Sequence, residues 1–160
     1  MVNAAIWLGA AVFVTLFAGP AFFSDEMLTA LKYRFYAGEA AQIIISRYFI
    51  LHYICGVLAV LHLVVEWLYL GRHLTRFTTG LLAFLVGLTL FGGVWMQPKM
   101  RQLHHTMYLG ETQAEQDDAT KTFRAWHGAS QAANLFVTIG LLVYFWRLTH
   151  PRRMRDVSEL

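Results

Sequence analysis

A chain of 160 residues that is 57% hydrophobic and only 14% charged is too apolar for a soluble globular domain, in which about a quarter of residues are charged. The net charge is +3 at pH 7, and no basic face with interleaved aromatic residues lies outside the apolar segments. This pattern excludes nucleic acid as a partner. The composition instead indicates one integral membrane domain, residues 1–160, with the lipid bilayer as its surroundings.

Four apolar blocks predict four membrane spans, and hence an all-α integral membrane four-helix bundle. The spans cover about residues 3–23, 42–70, 79–97 and 125–146. Span one ends at Gly19-Pro20, a pair that predicts a kink or a helix end. Ser24 is then the predicted N-cap of a short interfacial helix that stops at Gly38.

The segment between spans three and four predicts a helical extension outside the membrane. Pro98 marks the exit of span three, and Thr112 with Glu115 fits the capping-box pattern at a helix start. A helix running from there to Thr149 has 37 residues and a length of about 55 Å, more than a bilayer core needs. Span three is rich in glycine, which favours close packing against a neighbouring helix. The tryptophans are predicted in interfacial belts, with Trp7, Trp67 and Trp146 at one face and Trp95 and Trp126 at the other.

Span two carries polar residues on one helical face. Tyr48, His52, His62 and Glu66 fall within a narrow arc at about 100° per residue, and such a face is expected to point into the bundle. Span four has a matching polar face, formed by His127, Gln131, Asn134 and Thr138. One interpretation is that these groups only hydrogen-bond neighbouring helices.

A second interpretation is that they bind haem b. His52 and His127 are predicted at similar depths, and if spans two and four are neighbours, His52, His62 and His127 are candidate haem ligands. At the exit of span three, Met100, His104 and His105 form a candidate copper site, because thioethers and imidazoles suit Cu(I). The same Met and His spacing also fits ordinary helix packing.

Sequence motifs of soluble-type catalysis are absent: no GxxxxGK[ST], GxSxG, CxxC or HExxH string occurs. The chain is therefore not expected to be an enzyme. A small solute or lipid transporter would use the two polar faces as a path, but there is no internal repeat to support it.

Four sequence strings resemble the transmembrane protein 205-like family: AGPAFF at 18–23, RYF at 47–49, QPKMRQL at 97–103 and FRAWHGASQAANL at 123–135. The resemblance implies a small four-span membrane protein, distantly similar to copper-resistance protein D. It marks as signature residues Gly19, Pro20, Tyr48, Pro98, Arg101, His127, Ser130 and Asn134. His52 and His62 lie outside this signature.

Three functions follow as hypotheses. The first is a non-catalytic accessory subunit that packs against a larger membrane complex through its glycine-rich span and its acidic hairpin. The others are a haem- or copper-binding redox or metal-handling protein and a small transporter. The expected location is a bacterial cytoplasmic membrane with both termini cytoplasmic, because the link after span two carries Arg72 and Arg76 and no acid.

Overall fold

The computed structural model describes residues 1–70 and 76–150. These residues form helices and contain no strand, and four of the helices are long and apolar enough to cross a membrane. The five helices are α1 (Val2–Ala21), α2 (Asp25–Leu31), α3 (Arg34–Leu70), α4 (Arg76–Leu109) and α5 (Gln113–Thr149). The predicted all-helical membrane bundle is confirmed. The basic tail after His150 and the link between α3 and α4, residues 71–75, lie outside the described residues.

The four long helices form a closed ring in which each lies antiparallel to its two neighbours. Helix α1 packs on α3 and α5, and α4 packs on the same two helices from the other side. Helices α3 and α5, which carry the two polar faces, are therefore diagonal, and the condition for shared haem ligation, that they are direct neighbours, is not met. The reason is that α1 and α4 occupy both gaps between them. Their shared core includes Trp7, Leu82, Leu85 and Leu141, all with at most 1% of their surface exposed.

Two prolines lie inside helices that continue past them. Before Pro20 and before Pro98 the helix widens, so that Gly19 N–H bonds Val14 O and Gln97 N–H bonds Gly92 O, five residues back. A proline removes one backbone donor and its ring collides with the carbonyl four residues earlier, and a wider turn relieves both problems. Pro98 consequently does not end the helix, which continues to Leu109.

The interfacial helix is shorter than predicted. Helix α2 begins as expected, with the Met27 N–H bonded to Ser24 Oγ at 3.3 Å, but it ends at Leu31. Lys32 then adopts a positive φ of 65°, and α3 begins at Arg34 and passes through Gly38. Gly38 is therefore not a helix end.

The hairpin of α4 and α5 extends beyond the membrane at the end opposite the chain termini, which we call the hairpin end; the other is the termini end. Thr112 Oγ1 accepts from the Glu115 N–H at 3.3 Å, and the Glu115 carboxylate accepts from the Thr112 N–H. Helix α5 has the predicted 37 residues. Both helices exceed the bilayer thickness of about 30 Å, so the capped turn lies outside it.

Two of the four glycines in span three pack inside the bundle. A Cβ on Gly93 would lie 1.9 Å from Tyr53 Oη, and one on Gly92 would lie 3.0 Å from the Phe49 ring. Gly80 and Gly87 have no atom within 4 Å of such a Cβ. Gly92 and Gly93 therefore serve the α3–α4 contact within the chain, whereas Gly80 and Gly87 do not take part in it.

Candidate functional site

Side chains from α1, α3 and α5 meet in a polar core formed by Trp7, Thr15, Tyr48, His52 and Asn134, which is buried at Trp7 and His52 and exposed at Thr15. Tyr48 and His52 are four residues apart on α3, so the helix places them one above the other on one face. Their rings lie 4.0 Å apart between centroids. The three helices contribute one or two of these residues each, so the core exists only in the assembled bundle.

Asn134 joins three helices through a continuous run of hydrogen bonds. Tyr48 Oη donates to Asn134 Oδ1 at 2.8 Å, which bridges the diagonal from α3 to α5. Asn134 Nδ2 donates to Thr15 Oγ1 at 2.6 Å, and Thr15 Oγ1 donates to the Ala11 carbonyl at 2.6 Å. Each donor thus has an acceptor within the chain, which hydrocarbon requires of polar groups.

His52 receives a hydrogen bond from α1. Trp7 Nε1–H donates to His52 Nδ1 at 2.8 Å, and both side chains are almost fully buried. Trp7 is therefore not in an interfacial belt, and that prediction is wrong because its indole N–H has a polar partner inside the bundle. An indole N–H only donates, so Nδ1 must be the acceptor nitrogen and a neutral imidazole carries its proton on Nε2.

The three histidines predicted as haem ligands have separate surroundings. His62 is exposed and lies 3.8 Å from Glu66, and His127 stacks on Phe123 near the hairpin end. His52 and His62 are ten residues apart on one helix, about 15 Å. Counting turns from the Tyr48–Asn134 contact separates His52 from His127 by about 16 Å along the bundle. The structure does not bring any two of them to one iron.

The predicted copper residues lie in the hairpin and contact the start of α3. Glu39 Oε1 is 3.2 Å from both His104 Nδ1 and His105 Nε2. His104 is 4% exposed, and its Nε2 abuts Gly38, where an added Cβ would lie 2.1 Å away. Both ring nitrogens of His104 are thus occupied. Within residues 1–70 and 76–150, no three His, Cys, Asp or Glu side chains are arranged to hold a metal ion.

The remaining signature residues have local roles. Ser130 Oγ donates to the His127 carbonyl at 2.8 Å within α5, and Pro20 and Pro98 follow the two wide turns. Arg101 is exposed on α4. The bond between Tyr48 and Asn134, in contrast, joins signature residues on two different helices.

Sequence analysis missed Trp7, Thr15 and Glu39 as members of polar contacts. Glu39 follows a glycine just before an apolar block and contacts histidines 65 residues away, which no local pattern indicates. Thr15 lies in an otherwise apolar segment, and its isolated hydroxyl was the sequence feature that could have predicted a polar contact on α1.

Comparisons with known proteins give one match. A family model described as a domain of unknown function, DUF4149, matches residues 2–109, which cover α1 to α4 and include Trp7, Tyr48 and His52. Asn134 on α5 lies beyond the matched region. Searches of curated proteins and of solved structures found no match. Because the matched region covers more than half of its 160 residues, the chain belongs to the DUF4149 family.

Proposed function

We propose that this protein is a non-catalytic accessory subunit that packs the exposed face of α5 against another membrane protein. The observation that carries the proposal is the side chain of Gln131, which is exposed and has no hydrogen-bond partner among the described residues. Counted from the depth of Thr15 and Asn134, it lies about 5 Å inside the end of α1. An amide that faces lipid at this depth favours a polar partner on a neighbouring helix.

Small residues beside Gln131 allow such a helix to come close. Gly128 and Ala132 are exposed on the same arc of α5, and a Cβ on Gly128 would meet no atom within 4 Å. In a bilayer, helix association depends on close van der Waals contact and interhelical hydrogen bonds, since lipid tails are as apolar as the side chains. A flat surface of small residues with one amide meets both requirements.

The hairpin offers a second contact outside the membrane. Its turn and the first turns of α5 expose Glu111, Asp117 and Asp118. A partner with a basic surface near the membrane would be attracted to this acidic end. The same proposal places both termini in the cytoplasm of a bacterial cell, on the basis of the basic link after α3. The resemblance to the transmembrane protein 205-like family agrees with a small four-span subunit.

Site-specific photo-cross-linking in the host membrane tests this. A benzophenone residue replaces Leu135, which is 56% exposed and one turn from Gln131, and a control replaces Leu58, which is 49% exposed on α3. We expect a discrete adduct with another membrane protein, identified by mass spectrometry, from position 135 and not from position 58. Gln131→Leu and Gly128→Leu should each reduce that adduct several-fold.

Two results contradict the proposal. One is adducts with lipid alone at both positions, together with a monomer after gentle solubilisation. The other is an adduct only with a second copy of the chain, which makes α5 a homodimer interface and removes the accessory role.

A further inference from the structure

A cleft opens toward the bilayer between α3 and α4, on a side of the bundle different from the α5 face. It has a volume of about 270 Å³, and its lining includes His52, Gly56, Val57, Thr89 and Leu90. Val57 and Leu90 are 59% and 48% exposed, so the mouth of the cleft faces lipid tails. The lining is almost entirely apolar, and a molecule dissolved in the bilayer can enter sideways.

Two polar groups at this cleft are buried without a hydrogen bond. His52 and Thr89 are 2% and 4% exposed, and His52 Nε2 and Thr89 Oγ1 have no partner among the described residues. Burying such groups unpaired is costly, and in hydrocarbon no water is present to compensate. A threonine in a helix ordinarily bonds a carbonyl of the preceding turn, as Thr15 does here. Both groups are therefore suited to bind a polar atom of a ligand.

The Trp7 hydrogen bond determines which kind of atom fits. Because Trp7 N–H occupies the lone pair of His52 Nδ1, the neutral ring carries its proton on Nε2 and offers a donor to the cleft. A ligand atom opposite it must accept a hydrogen bond. A metal ion does not fit, since Nε2 has no free lone pair in this tautomer.

The depth of His52 in the bilayer restricts the ligand further. His52 bonds Trp7, five residues into α1, which places it about 8 Å from the start of an α1 helix about 30 Å long. It therefore lies inside the hydrocarbon, whereas the ester carbonyls of membrane lipids lie at the edge of the hydrocarbon. The acceptor must belong to a molecule whose polar atom can reside in the membrane interior.

We propose that this cleft binds an apolar molecule with a ring carbonyl, of the isoprenoid quinone class, whose carbonyl oxygen accepts from His52 Nε2–H and lies beside the Thr89 hydroxyl. A volume of about 270 Å³ is at the lower end for small-molecule sites, which suits a ring whose apolar tail leaves the cleft past Val57 and Leu90. The proposal concerns binding alone and is independent of the partner on α5.

The test measures binding of decylubiquinone to the full chain in nanodiscs. In a variant with phenylalanine at positions 67, 95, 126 and 146, Trp7 is the only tryptophan, and a quinone bound beside His52 should quench its fluorescence saturably. We expect Thr89→Val, which keeps the side-chain shape, and His52→Phe each to weaken binding about fivefold, the effect of one hydrogen bond. His62→Gln, on the exposed part of the same helix, should leave it unchanged.

Decylbenzene, which has the tail and a ring but no carbonyl, should neither quench saturably nor compete. Equal competition by decylbenzene, or unchanged affinity in Thr89→Val, would show a nonspecific apolar groove and overturn the proposal. Displacement of the quinone by diacylglycerol at equal concentration would assign the cleft to an acyl lipid and overturn it as well. If His52→Phe does not fold, Thr89→Val, which keeps the side-chain shape, still decides the question. Failure of this test leaves the cross-linking result on α5 unaffected.

Discussion

The hydrogen bond from Tyr48 to Asn134 joins the two diagonal helices, and its removal gives a measurable prediction. Hydrogen bonds between membrane helices contribute about 0.6 kcal/mol on average and up to about 1.7 kcal/mol. Asn134 makes two such bonds, to Tyr48 and to Thr15. Asn134→Leu should therefore lower the free energy of unfolding by about 1 to 3 kcal/mol. Tyr48→Phe removes one bond and should lower it by about 0.6 to 1.7 kcal/mol.

A double-mutant cycle isolates the bond between them. Once Asn134 is replaced by leucine, Tyr48 has lost its acceptor, and the further change Tyr48→Phe should cost little or improve stability. The coupling energy should be about 0.6 to 1.7 kcal/mol. The assay is reversible unfolding in mixed micelles with increasing sodium dodecyl sulfate, followed by circular dichroism.

Gln131→Leu is the matched control, because Gln131 carries an amide on the same helix and has no hydrogen-bond partner among the described residues. It should leave the unfolding free energy of the isolated protein unchanged or raise it. Strictly additive effects of Tyr48→Phe and Asn134→Leu would refute the assignment of this bond as a clamp between α3 and α5.

Two further substitutions test the packing and the hairpin. Gly93→Ala should destabilise the bundle by about 1 to 3 kcal/mol in the same assay, because the added Cβ would collide with Tyr53 and Phe49. The control Gly87→Ala places its Cβ where no atom lies within 4 Å and should have little effect. Equal losses of stability in the two variants would contradict this packing argument. Thr112→Ala removes the capping box and should weaken the first turn of α5 by about 1 kcal/mol, seen as faster amide exchange at Glu115. The control Thr122→Ala, ten residues beyond the cap in α5, should leave the exchange rate at Glu115 unaltered. Faster exchange at Glu115 in this control would mean that the cap is not responsible.

Local signals predicted the helices well. The apolar blocks gave four spans, and the capping box at Thr112 placed the start of α5, because the length of an apolar segment and a cap are properties of neighbouring residues. Local signals failed at Gly38, which was predicted to end a helix. Helix α3 runs through this glycine, whose position is explained by its contact with His104, 66 residues away.

The sequence by itself determined that this chain is a four-span helical membrane protein with polar residues on its second and fourth spans. Only the tertiary structure decided that these spans are diagonal, that Trp7 is buried, and that the Trp7 N–H bonds His52 Nδ1. The physical reason is the sequence separation of the partners: Trp7 and His52 are 45 residues apart, and Tyr48 and Asn134 are 86 residues apart. Hydropathy and capping act within a few turns of one helix, whereas the partner of a buried polar group depends on which helices pack together.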